Sequence, residues 1–327
     1  MQIHHLMTML TIVFLLAAFG AACGRAGETD WRGEIAIDGS STVLPISQAV
    51  AEEFIRERGS ARISIGQSGT GGGFQKFCSG DIDISNASRS IKDDEIALCE
   101  ENGIEPVELS VANDGLSVVV NPDNDWVDCL TVGQIRSIWQ PEDPVQRWSD
   151  LDPSWPDEEI RLYGPGTDSG TFDYFTDVIV GEEGASRSDY NASEDDNVII
   201  QGVEGDEDAL GYFGFAYYIE NQDRLKALGI DNGEGCVMPT EKTIRSGEYA
   251  PLSRPLFIYV YGRDLGEQSQ PATDTATVDG GPSLLMAYLE YYLTDGQDIL
   301  PFVGYVPLED EQYREQLQKI TASASTR

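Results

Sequence analysis

The segment "GPGTDSGTFDYF", residues Gly164–Phe175, places glycines and hydroxyl side chains directly before an aromatic, helix-like run. Two other segments have a similar pattern: "DGSSTVLPISQAVAEEF" from Asp38 and "GQSGTGGGFQKF" from Gly66. Each follows a strand-like run, which predicts a strand-to-helix turn. The first turn of a helix carries N–H groups without internal partners and a positive dipole end, so it can bind an anion without a basic side chain. We call these segments, in chain order, the first, second and third anion turns.

Strand-like and helix-like runs alternate along most of the chain, which predicts an α/β fold with mixed, mostly parallel sheets flanked by helices. A length of 327 residues suggests two domains. In parallel sheets, ligands bind at the carboxyl ends of the strands, where the chain passes into helices. The three anion turns all occupy that position, so we expect them to form one binding site.

The N-terminal segment "LMTMLTIVFLLAAFGAAC" is a continuous apolar run that ends in small residues before Cys23. It predicts a signal peptide over residues 1–23 and an exported protein, either periplasmic or anchored outside the membrane. "AFGAAC" resembles the lipobox of bacterial lipoproteins, with Cys23 as the lipidated residue, although Gly20 stands where leucine is usual. Ordinary secretion with a free Cys23, or an uncleaved anchor, are the alternatives.

Both histidines, His4 and His5, lie in this leader. The mature chain therefore lacks the imidazole that Ser-His-Asp catalysis, Cys-His catalysis and histidine zinc sites require. The formal net charge of -36 predicts a strongly self-repelling surface suited to a saline medium. Such a field makes nucleic acid and anionic membrane surfaces poor partners.

Four cysteines remain after Cys23, and an exported chain favours two disulfides among them. Three pairings are open; we favour Cys78–Cys99 as a local bond and Cys129–Cys236 as a long one. A four-thiolate metal site is the alternative, but its usual C-x-x-C spacing is absent. We expect neither a metal nor a cofactor.

Arg89 follows "DISNAS", and its guanidinium can bind two oxygens of a tetrahedral oxyanion or form a surface ion pair. Together, "SGTGGGF", "DISNASR" and "GTDSGTFDYF" resemble the phosphate-binding proteins of bacterial ABC importers, the PstS family. The resemblance covers nearly the whole mature chain. It implies a two-lobed, hinged α/β binding fold that closes over phosphate. Lobe I would comprise residues 26–111 and 255–327, and lobe II residues 112–254, with the chain crossing at "SVANDG" and "APLSRPLF".

The resemblance also implies the ligand set. The phosphate-binding residues would be Ser41, Thr42, Ser68, Thr70, Asn86, Arg89, Ser169, Gly170 and Thr171. The chain departs from the family pattern twice, with Asn86 in place of a usual aspartate and Pro165 in place of a usual arginine. We infer that Arg89 supplies the guanidinium from the other lobe.

The missing aspartate bears on specificity, because a carboxylate accepts the proton of monohydrogen phosphate and repels sulfate. Asn86 can accept that bond with less repulsion of sulfate, and Asp168 or Asp38 could supply the carboxylate instead. The main hypothesis is a non-catalytic, monomeric receptor that binds inorganic phosphate and delivers it to an importer permease.

Three other functions stay open. The first is a receptor for another tetraoxyanion, sulfate or arsenate. The second is an extracytoplasmic phosphatase in which bound metal ions activate a serine. The third is a structural surface lipoprotein. The membrane would be a partner only through a lipid on Cys23.

Overall fold

The computed structural model describes residues 33–59, 61–265 and 283–322. The predicted signal peptide and Cys23 lie outside these residues. Within them, no helix combines the length and the apolar composition needed to cross a bilayer.

The strands are short except for two. They are β1 Glu34–Gly39, β2 Arg62–Ile65, β3 Ile84–Ala87, β4 Pro106–Val120, β5 Cys129–Thr131, β6 Arg161–Pro165, β7 Asn191–Ser193, β8 Ala209–Gly214, β9 Lys226–Ala227, β10 Gly229–Asp231, β11 Cys236–Val237 and β12 Ser253–Tyr261.

Helices fill most of the connections between these strands. They are α1 Leu44–Arg58, α2 Gly69–Ser79, α3 Asp93–Glu101, α4 Val132–Trp139, α5 Trp148–Leu151, α6 Gly170–Phe175, α7 Asp196–Glu204, α8 Phe215–Glu220, α9 Glu241–Arg245, α10 Leu284–Leu293 and α11 Asp310–Ala322. Helix α6 continues into a π-helical turn, Thr176–Val180, and 3-10 segments follow β12 and α10.

One sheet runs through the molecule in the order β2-β1-β3-β12-β4-β8-β6-β7, with β9 also paired to β4. At one end β1 pairs in parallel with β2 and β3, and at the other β6 pairs in parallel with β7 and β8. Between them, β12 and β4 pair antiparallel. Strands β5, β10 and β11 form a separate small sheet. The predicted α/β, two-lobed fold class with mixed sheets is confirmed.

Two large hydrophobic cores lie toward opposite ends of the β4–β12 pair. The first core is built from buried residues up to Ala112 and from Leu256 onward. The second is built from buried residues between Leu116 and Leu252, together with Val306. The register between the two strands shifts between Leu256 and Phe257, which marks a bulge close to the boundary between the cores. Bulges bend a strand and increase its twist. The lobe boundaries at residues 111/112 and 254/255, which fall on these strands, stay a prediction.

The structure joins the same two cysteine pairs that the sequence favoured. Cys78–Cys99 links α2 to α3, and both sulfur-bearing side chains are buried. Cys129–Cys236 links β5 to β11 across a sequence separation of 107 residues. In the chain-entropy model, closing a loop of about 100 residues stabilises the folded state by roughly 4.7 kcal/mol. The Cys129–Cys236 disulfide therefore restricts the unfolded chain more than Cys78–Cys99 does.

Helix α1 begins at Leu44, within the first anion turn. Pro45 lies in its first turn, where a missing N–H costs nothing. Its apolar face buries Ile46, Val50 and Phe54 against the first core. The preceding residues, including Ser41 and Thr42, stay in the turn and outside the helix. Their side chains are thereby free to face the second half of the molecule.

Phe54 offers a direct test of the first core. Its side chain is buried, and its ring meets Tyr288 and Tyr291 edge-on, with 5.4 Å between each pair of centroids. We expect Phe54→Ala to lower the free energy of unfolding by about 3–5 kcal/mol, because a cavity replaces the ring. Ile55→Ala, at a neighbouring exposed position, should change it by about 0.5 kcal/mol or less. Urea denaturation measures both, and equal losses would contradict the assigned core face.

Candidate functional site

A cavity of about 770 Å³ lies between the two halves of the molecule. Both halves contribute to its walls, and several polar side chains line it. The lining residues are Ser40, Ser41, Thr42, Gln67, Gly69, Thr70, Gly71, Ser88, Arg89, Lys92, Gly170, Asp173, Tyr174, Asp177, Val178, Glu183, Pro251, Ser253 and Arg254. The cavity thus brings together parts of all three anion turns.

The first and third anion turns meet at Gly170. A Cβ atom at this position would lie 3.2 Å from both Ser41 Oγ and Thr42 Oγ1, closer than most side chains approach. Glycine therefore lets two hydroxyl groups come near the backbone of the α6 N-terminus. Next to it, the Ser169 side chain caps α6 by accepting a hydrogen bond from the Thr171 N–H at 3.2 Å.

The second anion turn is held by Asp38 at the end of β1. The Ser68 hydroxyl and the Gly39 N–H each donate to Asp38 Oδ1 at 2.7 Å, and Lys76 forms an ion pair with Oδ2. Burial raises the pKa of Asp38, but the bonds from Lys76 and Ser68 together outweigh it, so its pKa lies below the ordinary 3.8. Asp38 is an ionised carboxylate whose oxygens already have donors, and neither Asp38 nor Ser68 lines the cavity.

Asn86 is fully buried beside the first anion turn. Its Oδ1 accepts a hydrogen bond from Ser47 Oγ at 2.9 Å, and its Nδ2 has no partner among the described residues. The backbone of Asn86 packs closely on Gly39, so a Cβ atom on residue 39 would lie 2.2 Å from the Asn86 carbonyl oxygen. Gly39 itself has a φ of +132°, a conformation that favours glycine. Asn86 is not part of the cavity lining.

Arg89 and Lys92 line the cavity from the first half. The two terminal nitrogens of Arg89 each donate to a different oxygen of Glu95, both at 2.8 Å. These bonds raise the pKa of Arg89 and, against the effect of burial, lower that of Glu95. Thr70 Oγ1 lies 3.1 Å from Ser88 Oγ on the same wall. The Arg89 guanidinium thus reaches the cavity with both terminal nitrogens already engaged.

Arg254, which the sequence reading did not single out, is the more enclosed cavity arginine, with 16% of its side chain exposed against 33% for Arg89. It lies on β12 directly opposite Asp114 on β4, in the two segments where the chain was expected to cross between lobes. Burial holds the pKa of Asp114 above its ordinary value, although Arg254 acts to lower it. A basic residue in "APLSRPLF" was the only sequence signal.

Carboxylates line the cavity from the second half: Asp173, Asp177 and Glu183. Asp173 lies one helical turn after Gly170, so both face the same side of α6. Burial and the nearby Glu183 raise the pKa of Asp173, and Arg254 lowers it by less. Asp168, one of the carboxylates considered from sequence, is exposed and outside the lining.

The described part of the chain contains no group of three or more His, Cys, Asp or Glu side chains that could hold a metal ion. The predicted ligand residues divide into two sets. Ser41, Thr42, Thr70, Arg89 and Gly170 line the cavity, whereas Ser68, Asn86, Ser169 and Thr171 lie outside its lining. Their role in binding stays a prediction.

The Asp38–Lys76 pair predicts a pH-dependent effect on stability. Because its folded-state pKa is lowered, Asp38 stabilises the fold above about pH 4 and loses that contribution as the pH falls through its folded pKa. Lys76→Met should therefore lower the free energy of unfolding at pH 7, and its difference from the parent should shrink as the pH falls below about 4. Denaturation at several pH values tests this, with exposed Lys242→Met as the control. A pH-independent difference would contradict the assignment.

Comparison with known proteins gives one consistent result. The family profile described as "PBP superfamily domain" matches residues 24–295. The chain is 47% identical over 281 residues to "Protein SphX" of Synechocystis sp., covering 85% of this chain and 80% of that protein. It is 38% identical over 303 residues to "Phosphate-binding protein PstS" of Staphylococcus saprophyticus, covering 91% of this chain and 89% of that protein.

A solved structure agrees with these relatives. The crystal structure described as "a possible phosphate binding protein from Planctomyces limnophilus" superposes with a TM-score of 0.80 at 42% sequence identity, covering 90% of this chain and 99% of that one. The profile match, the identity to curated relatives and the shared two-lobed fold lead to one conclusion: this chain belongs to the PstS family of phosphate-binding proteins within the PBP superfamily.

Proposed function

We propose that this protein is an extracytoplasmic receptor that binds inorganic phosphate and delivers it to the membrane permease of an ABC importer. The observation that carries the proposal is the meeting of the first and third anion turns at Gly170, inside a cavity that both halves line. Hydroxyl groups, helix-start amides and a guanidinium are donors that suit a tetrahedral oxyanion. Relatives named as phosphate-binding proteins support the same ligand.

Binding at this site needs no positive net charge. The lining holds three cationic residues, Arg89, Lys92 and Arg254, against three carboxylates, in a chain of net charge -36. Oriented amides and hydroxyls act at short range, where the field of distant surface charges is screened by salt. Charge-assisted hydrogen bonds contribute about 1.5–3 kcal/mol each, so several of them, less closure costs, give roughly micromolar or tighter binding.

The remaining parts of the proposal concern placement and mode of action. The family is one of transport receptors, and we propose that this member binds without catalysis. Export follows from the signal-like segment at residues 1–23, and lipidation of Cys23 would hold the receptor near its permease. We propose a monomer, because a receptor of this kind presents both lobes to its transporter.

Asp173 is the carboxylate best placed to select phosphate over sulfate. It lines the cavity, whereas Asp168 is exposed and Asp38 already accepts bonds from Ser68 and Lys76. No described residue forms a hydrogen bond or an ion pair with the Asp173 carboxylate, so it is free to accept a proton-bearing oxygen. Side chains on a helix tilt toward its N-terminus, which directs Asp173 toward the Gly170 end of α6.

Calorimetric titration of the leaderless protein, freed of bound anion, tests the function. In high-salt buffer we expect one phosphate per chain at micromolar or lower dissociation constant, similar binding of the isosteric arsenate, and much weaker binding of sulfate. Sulfate binding equal to that of phosphate would mean a different oxyanion receptor. Absence of any oxyanion binding would contradict the proposal altogether.

Asp173→Asn tests the selectivity. Loss of the carboxylate should weaken phosphate binding about tenfold or more and strengthen sulfate binding, because the repulsion of a proton-free anion disappears. The ratio of the two affinities is the measurement. Asp223→Asn, which removes the same charge from an exposed position in the same half, should leave the ratio unchanged. A changed ratio in Asp168→Asn instead would identify Asp168 as the acceptor.

A further inference from the structure

Arg254 contacts both halves of the molecule at the point where they meet. Its Nη2 donates to Thr42 Oγ1 at 2.8 Å, in the first anion turn. Its guanidinium carbon lies 3.6 Å from the centroid of the Tyr174 ring, in the helical part of the third anion turn. Thr42 Oγ1 is itself one of the two atoms that face Gly170. The guanidinium therefore reaches the centre of the cavity.

Asp114 holds this guanidinium in a defined orientation. Arg254 Nε and Nη2 both donate to one oxygen, Asp114 Oδ2, at 3.2 Å. The pair is cross-strand, since Arg254 lies directly opposite Asp114 in the β4–β12 register. Tyr174 fixes the other side, because its hydroxyl donates to the Pro251 carbonyl at 2.7 Å and keeps the ring under the guanidinium. A side chain held on two sides loses little entropy when it binds a ligand.

The Arg254 guanidinium has one terminal nitrogen available for a ligand. Among the described residues, Arg254 Nη1 has no hydrogen-bond partner, while Nε and Nη2 are engaged. Arg89 differs, because Glu95 occupies both of its terminal nitrogens. A planar guanidinium with a free nitrogen next to a hydroxyl-lined gap is well suited to an oxyanion.

We propose that Arg254 is an anion-binding residue, with Asp114 and Tyr174 as its positioning residues, and that it links the anion to both halves of the molecule at once. This inference rests on the function proposed above. Nη1 binds an oxygen of the anion at the meeting point of the first and third anion turns, while Nη2 keeps its bonds to Thr42 and Asp114. Because the same guanidinium packs on Tyr174 and is paired across β4 and β12, anion binding favours the arrangement in which the two halves are close.

Arg254→Lys is the primary test. A lysine keeps the charge, but it has no planar fork and cannot hold Asp114, Thr42 and the anion together. We expect phosphate affinity to fall at least about tenfold in calorimetric titration. The matched control is Arg263→Lys, since Arg263 also lies over a tyrosine ring, 4.9 Å from Tyr261, and pairs with a neighbouring aspartate but is 51% exposed. That control should bind phosphate as the parent does.

A double-variant cycle tests the positioning role of Asp114. Asp114→Asn should weaken phosphate binding in the parent and have a much smaller effect in the Arg254→Lys background, because it acts through Arg254. Additive effects would show that Asp114 only stabilises the fold. Melting temperatures without anion identify which variants are folded at the titration temperature.

A measurement on the unaltered protein keeps the inference testable if the variants do not fold. Phenylglyoxal modifies accessible guanidinium groups, and peptide mass spectrometry locates the product. Phosphate should slow modification of Arg254 at least about fivefold and leave Arg263 unaffected. Suppose that the parent binds phosphate, that Arg254→Lys binds it equally well, and that phosphate does not protect Arg254 from modification. The inference is then wrong and the receptor function stands. If the parent binds no oxyanion, both fail.

Discussion

The antiparallel pairing of β4 with β12 is the constraint on which the rest of the structure depends. These two strands are shared by both halves, and each hydrophobic core begins where the other ends along them. All three anion turns are attached to sheets that this pair joins. The pairing thus holds the two halves in the arrangement in which the Gly170 end of α6 lies against Ser41 and Thr42. The same register places Arg254 opposite Asp114 at the cavity wall.

Local chemistry at the cavity differs from that of the chain as a whole. The net charge of -36 repels anions at long range, and salt screens that repulsion beyond about 8 Å at physiological ionic strength. At short range, the cavity lining presents hydroxyl and guanidinium groups instead. Lysines are scarce in this chain, and one of them, Lys76, neutralises Asp38 beneath the second anion turn through an ion pair. A saline setting and an anion site are therefore compatible in one molecule.

Much of the fold was predictable because its signals are local. Alternating strands and helices, and glycine-rich turns between them, each depend on a few neighbouring residues. The site was predictable only in part, because long-range pairing decides which turn residues face the gap. Asn86 was expected as a ligand from the family resemblance, but it lies within β3, where Ser47 and Gly39 pack against it and keep it out of the cavity lining. Arg254 was missed because it lies outside the glycine-rich segments, and only the strand register brings it to the cavity. Asp173 was missed although it lies in the third anion turn, because only its face of helix α6 directs it to the cavity.

The two halves are connected by continuous strands that are hydrogen-bonded to each other, in contrast to a connection through unpaired linkers. Strand β4 alone spans 15 residues and enters both halves without a break. A change in the angle between the halves must therefore bend or twist the ribbon formed by β4 and β12. This hydrogen-bonded ribbon resists the deformation elastically. The bulge at Leu256–Phe257 interrupts the regular register of that ribbon. Relative motion of the halves should accordingly be a bend or twist of the strand pair, with an amplitude set by the stiffness of its backbone.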